Sequence, residues 1–137
     1  MKKMINLAFI YSIVAMVAGV FYREFTKLNG FVGVTSLGKM HVHLLVLGTI
    51  FFLILGLYCD RTKVQNQKGF NKALITYNVG LCWMVVMMLV RGITEVLNTP
   101  LSSGMSAAIS GIAGIGHIIL GVGIVLIFLK LKKAATE

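Results

Sequence analysis

Long apolar stretches alternate with short polar ones along this chain. Four of them, at about 4–22, 36–59, 73–97 and 105–129, each reach the roughly 20 residues a helix needs to cross the hydrocarbon layer. Thr35 or Ser36 can cap the second helix, Pro100 ends the third, and Ser102 or Ser103 can cap the fourth. The first stretch is long for a signal peptide and no small-x-small cleavage site follows it, so it reads as a retained span. The pattern predicts an all-α integral membrane four-helix bundle, one domain over residues 1–137, with a polar loop at 60–71 containing Gly69.

Composition strengthens that reading. The chain is 58% hydrophobic and 12% charged, and its mean hydropathy is +0.91. Four acidic residues, Glu24, Asp60, Glu95 and Glu137, cannot solubilise such a surface. The net charge of +9 would suggest nucleic acid if the basic residues formed a domain, and they do not. Nine of the thirteen lie at Lys2, Lys3, Arg61, Lys63, Lys68, Lys72, Lys130, Lys132 and Lys133: the N-terminus, one loop and the C-terminus. Successive crossings put these three regions on one side, and the positive-inside rule makes it cytoplasmic, N-in and C-in. Cys59 and Cys82 lie at different depths and read as small apolar filler rather than a disulfide.

The helices have readable faces. Ala8, Ser12, Ala15, Gly19 and Tyr22 recur at three- and four-residue steps in the first; Ser103, Ala107, Ser110, Gly114, His117 and Gly121 do so in the fourth. Small-residue stripes let membrane helices approach closely, or leave room for a flat cofactor. The third helix aligns Tyr77, Gly80, Met84, Met87, Arg91 and Glu95, with Arg91 and Glu95 spaced to pair. Arg23 and Arg91 both fall near the outer boundary, as interfacial anchors or as cations for anionic groups.

Histidine is the conspicuous chemistry. His41-Val42-His43 lies in the outer part of the second span and His117 near the middle of the fourth. An ionisable side chain at membrane depth marks a functional site by default. Residues two apart on a helix diverge by about 200°, so His41 and His43 serve different neighbours. Imidazole suits haem iron, copper or zinc. A closed zinc site wants about four ligands, whereas haem needs one or two, a slot lined by small residues and cations for its propionates. Haem b is therefore the expected cofactor, with copper or zinc as the alternative.

The segments Tyr22-Arg23-Glu24, Leu37 to Gly48, Arg91 to Glu95 and Gly111 to His117 together resemble a family of small bacterial four-span membrane proteins of unknown function. That resemblance covers nearly the whole chain and implies a multi-pass protein of the bacterial cytoplasmic membrane. More remotely, His41 with Gly48 seven positions on, and the His-x-His pattern, resemble ligand helices in the catalytic subunit of haem–copper oxidases. The likeness implies that four spans equal one four-helix arc of that subunit, and that three copies form a ring. His41 of one copy and His43 of the next would then hold one haem, with His117 as the alternative ligand. Gly48 and Gly114 would line the slot, with Arg23 and Arg91 near the propionates.

The departures from that pattern exclude oxygen reduction from the expectation. Three histidines cannot also hold a copper centre, and no acidic residue sits in the cytoplasmic half of a span. The expected role is a non-catalytic haem protein for electron transfer, sensing or haem handling, in a homotrimer, with an unassigned redox partner. The alternatives are an accessory or assembly protein and a small transporter, although the first span lacks the glutamate that four-span drug exporters use.

Overall fold

A helix satisfies its own backbone polar groups, which is what an apolar stretch requires in lipid. The computed structural model, which describes residues 1–136, has four long helices: α1 (Lys2–Leu28), α2 (Leu37–Thr62), α3 (Phe70–Val96) and α4 (Ser103–Ala134). All four are long and apolar enough to cross a membrane. The 27 residues of α1 and the 32 of α4 extend about 40 and 48 Å, beyond the roughly 30 Å hydrocarbon layer. The excess is the charged ends that the hydropathy pattern leaves outside the spans, because charge at a helix end does not interrupt its hydrogen bonds.

Helix starts are set by specific side chains. Ser102 caps α4, its Oγ accepting from the Met105 N–H at 3.2 Å. The start of α2 is held from outside. Glu95 of α3 accepts from the Ser36 N–H at 2.7 Å and from the Ser36 hydroxyl at 3.2 Å. Thr35 accepts from the Leu37 N–H at 3.3 Å and donates to the Gly92 carbonyl at 3.1 Å. Arg91 and Glu95 therefore do not pair as their spacing suggests. Arg91 turns to α4 instead, donating to the Ser106 hydroxyl and carbonyl at 3.2 Å each and to the Ser110 hydroxyl.

The helices pack in chain order, α1 on α2, α2 on α3 and α3 on α4. The core between them includes Leu37, Phe52, Cys59, Tyr77 and Leu81, all fully buried. Long side chains also link α1 to α3: the Tyr11 hydroxyl donates to Asn78 at 2.6 Å, and Lys3 to Asn71 at 3.2 Å.

The α1 stripe lies in the interface with α2, where Ala8 and Ala15 are buried and Gly19 faces His41. The glycines of the α4 stripe do not pack on the bundle. A Cβ added at Gly114 or Gly121 would meet nothing within 4 Å. The packed face of α4 is Gly116, Leu120, Gly123 and Ile127. A Cβ at Gly123 would stand 2.6 Å from the Tyr77 backbone, and one at Gly116 2.7 Å from the Trp83 ring. Because α4 is apolar all round and carries glycine on both faces, its periodicity does not identify the packed one.

Midway along α2, Leu44–Ile50 forms a π-helix. Such segments insert an extra residue per turn and often accompany functional sites. Here the π-helix begins directly after His43. The Leu47 carbonyl accepts from the Tyr77 hydroxyl at 2.7 Å, and Gly48 lies beneath Tyr11, where a Cβ would come within 2.6 Å of the Tyr11 Cβ.

Candidate functional site

The three histidines occupy distinct settings. The His41 ring lies against Gly19 of α1 and roughly parallel to Tyr22, with ring centres 6.5 Å apart. Its Nδ1 is buried without a hydrogen-bond partner. His43 places Nδ1 2.8 Å from the Lys39 carbonyl, and His117 places Nδ1 3.0 Å from the Ala113 carbonyl. A carbonyl only accepts, so in both rings Nδ1 carries a hydrogen, and the neutral ring then keeps its lone pair on Nε2. Metal-ligating histidines are anchored in this way, with the second ring nitrogen fixed by a carbonyl or carboxylate. His41 lacks that anchor.

Contacts between helices set the depth of each ring. Leu37 meets Gly92 and Leu47 meets Tyr77, so His43, between them on α2, is level with the middle of α3. Gly116 meets Met84, which brings His117 to the same level. His43 is also seven residues, two helical turns, from Ser36 and so shares its face of α2.

A cleft of about 330 Å³ opens beside Ser36, and His43 is not among the residues that line it. Ser36 contributes from α2, Met84, Met87, Met88 and Arg91 from α3, and Ser110, Gly114 and His117 from α4. The cleft thus combines an imidazole with an uncommitted Nε2, a guanidinium fixed by two serines, soft thioethers and an open glycine. Its volume is at the small end for a ligand pocket.

The other expected residues lie elsewhere. Arg23 is 80% exposed on α1, with its guanidinium 3.9 Å from the Glu24 carboxylate. The space over Gly48 is taken by Tyr11. His41 faces α1 rather than the cleft. Sequence reasoning missed Ser106 as a partner of Arg91, and the polar cluster in which the Tyr11 hydroxyl lies 2.6 Å from Asn78 and 3.7 Å from the Cys82 sulfur. These contacts join different helices, and nothing in the spacing of the residues announces them.

Among the described residues, no three His, Cys, Asp or Glu side chains converge as a metal-ion site. A zinc or copper centre of three or more such ligands is therefore not assembled from these residues within one chain. No curated protein and no solved structure matches the chain, and neither comparison returns a likeness to haem–copper oxidases. Residues 1–134 match the family described as Protein of unknown function (DUF2871), and the chain belongs to that family.

Proposed function

We propose that this is a membrane haem b-binding protein acting in electron transfer, haem sensing or haem handling. The observation that carries the reading is the shared state of His43 and His117. Each has Nδ1–H anchored on the carbonyl four residues before it, each has Nε2 uncommitted, and both lie at the level of Met84. These two residues would ligate the iron, Gly114 and the methionines would line the ring, and Arg91 would meet its anionic edge. Haem held by two imidazoles supplies one-electron transfer with no open coordination position. Ser106 and Ser110 hold the Arg91 guanidinium in place, and the carbonyls of Lys39 and Ala113 hold the two imidazoles in one tautomer.

The small cleft leaves much of such a ligand to be covered by lipid or a neighbouring copy. In the trimeric arrangement, His41 of one copy replaces His117 as the partner of His43 from the next, favoured by the divergence of His41 and His43. In either arrangement the termini and the 60–71 loop face the cytoplasm, on the charge asymmetry.

The absorbance spectrum of the full protein, purified from haem-replete cells, tests the proposal together with its haem-to-chain ratio. A Soret band lost in His43→Ala is expected in both arrangements. Loss in His117→Ala selects the single-chain cleft, and loss in His41→Ala selects the ring. Colourless protein, or a band indifferent to all three substitutions, overturns the haem reading.

A further inference from the structure

Both α2 and α4 run antiparallel to α3, so they run parallel to each other. Towards the end of the bundle that carries both termini, a groove of about 490 Å³ lies between them. Phe51 and Tyr58 are the first and last residues lining it on α2, and Phe128 and Ala135 are their counterparts on and just past α4. Its floor is fixed by the core. Leu55 is fully buried, and the Phe51 ring stacks on the Tyr77 ring of α3 with centres 4.4 Å apart. Its walls, including Ile54, Tyr58 and Phe128, are about half-exposed.

The dimensions of the groove select its occupant. Two helical turns span about 10 Å, so 490 Å³ corresponds to a cross-section of about 50 Å². A helix with its side chains is about 10–12 Å across and needs about 80 Å² or more. A helix from a second copy would lie across the rim and leave the groove unfilled, and its lining atoms would then forfeit their contacts. A single hydrocarbon chain can enter it.

The mouth carries charge. Lys132 lines the groove about one turn from its end, and such a side chain keeps its ammonium at the interface while its stem lies on apolar surface. A second depression, of about 370 Å³, shares Tyr58 with the groove and is lined also by Leu57, Arg61 and Thr62. Among the described residues, no carboxylate lines either depression; Asp60, next to Arg61 in sequence, lines neither. Cations in the last turns of α2 and α4 complement the helix dipoles. That accounts for their charge and leaves unexplained their placement on either side of one interfacial tyrosine, beside an apolar groove.

We propose that the groove holds one acyl chain of an anionic glycerophospholipid, whose phosphate lies beside Tyr58 between Lys132 and Arg61. The groove receives the tail, and the two cations distinguish the headgroup. A zwitterionic lipid brings its own ammonium to the same place and loses that attraction.

The test uses the full chain in uncharged detergent, with phosphatidylglycerol and phosphatidylcholine of identical acyl chains added in equal amounts. Native mass spectrometry reads which lipid is retained. Each cation near a membrane surface contributes about fivefold in affinity, so the wild type prefers phosphatidylglycerol by about 25-fold. Lys132→Gln with Arg61→Gln abolishes the preference, and Lys132→Arg with Arg61→Lys retains it. Ile54→Trp keeps every charge, fills the groove with an indole and loses retention of both lipids. Ile54, Arg61 and Lys132 are exposed, so these replacements leave the core intact. Lys2→Gln with Lys72→Gln removes equal charge from the same end, lines neither depression and changes nothing.

A phosphatidylglycerol preference that follows this ordering assigns the groove to an anionic lipid. Equal retention of the two lipids by the wild type, or a preference that survives Lys132→Gln with Arg61→Gln, overturns the proposal. So does retention indifferent to Ile54→Trp, or an equal loss in the Lys2/Lys72 control. A lipid-free dimer that Ile54→Trp converts to monomer also overturns it, because the groove then belongs to a second copy.

Discussion

Glu95 is a residue of α3 whose carboxylate does its work at the start of α2. One oxygen accepts from the Ser36 N–H at 2.7 Å and the other from the Ser36 hydroxyl at 3.2 Å. The N–H is one of the donors that a helix start leaves unsatisfied within itself, and a negative charge there is favoured by the helix dipole. Glu95→Ala removes both bonds and the charge together. Hydrogen bonds to charged groups contribute about 1.5–3 kcal/mol, and a helix cap about 1 kcal/mol. With solvent screening at this half-buried position, the expected loss is about 2 kcal/mol. Glu95→Gln keeps an acceptor for the Ser36 N–H and should lose about 1 kcal/mol. Ser36→Ala removes only the longer bond and should lose about 0.5 kcal/mol. The assay is reversible unfolding of the protein in mixed micelles, titrated with a denaturing detergent and followed by helicity. The order of the three variants is the content of the prediction. A Glu95→Ala protein as stable as wild type, or Ser36→Ala costing as much as Glu95→Ala, would refute the claim that α3 caps α2.

Two contrasts probe the packing in the same assay. Gly123→Ala would put a methyl 2.6 Å from the Tyr77 backbone, which cannot rotate aside, so it should destabilise by about 1–3 kcal/mol. Gly121→Ala, two residues away and facing open space, should be neutral or slightly stabilising. Tyr77→Phe keeps the ring stacked on Phe51 but deletes the hydroxyl that bonds the Leu47 carbonyl at 2.7 Å, and should lose about 1 kcal/mol. A silent Tyr77→Phe would mean that this carbonyl has another donor available.

The number of helices and their approximate positions were legible because each span is a long run of apolar residues. The α1 stripe was legible too, as Ala8, Ala15 and Gly19 lie on the side covered by α2. Two features escaped for physical reasons. The packed face of α4 is hidden because, in lipid, both faces of a helix are apolar, leaving only residue size to distinguish them. The partners of Arg91 and Glu95 were misassigned because the spacing within α3 allowed a local pair, while serines on α2 and α4 offered partners that no single-helix pattern contains. For the cleft, the sequence identified His117, Gly114 and Arg91 as individual candidates. Their convergence depends on how α4 is rotated against α3.

The π-helix of α2 places His41 and His43 on one side of an inserted residue and the Phe51–Thr62 stretch on the other. Regularising that segment would take the deletion of one residue, and one residue of α-helix is about 100° of rotation. The bearing of the two imidazoles relative to the lower half of their own helix is thus encoded by a count of residues rather than by the identity of any side chain. A side-chain replacement between Leu44 and Ile50 alters what packs there, whereas a change in length re-aims both histidines at once.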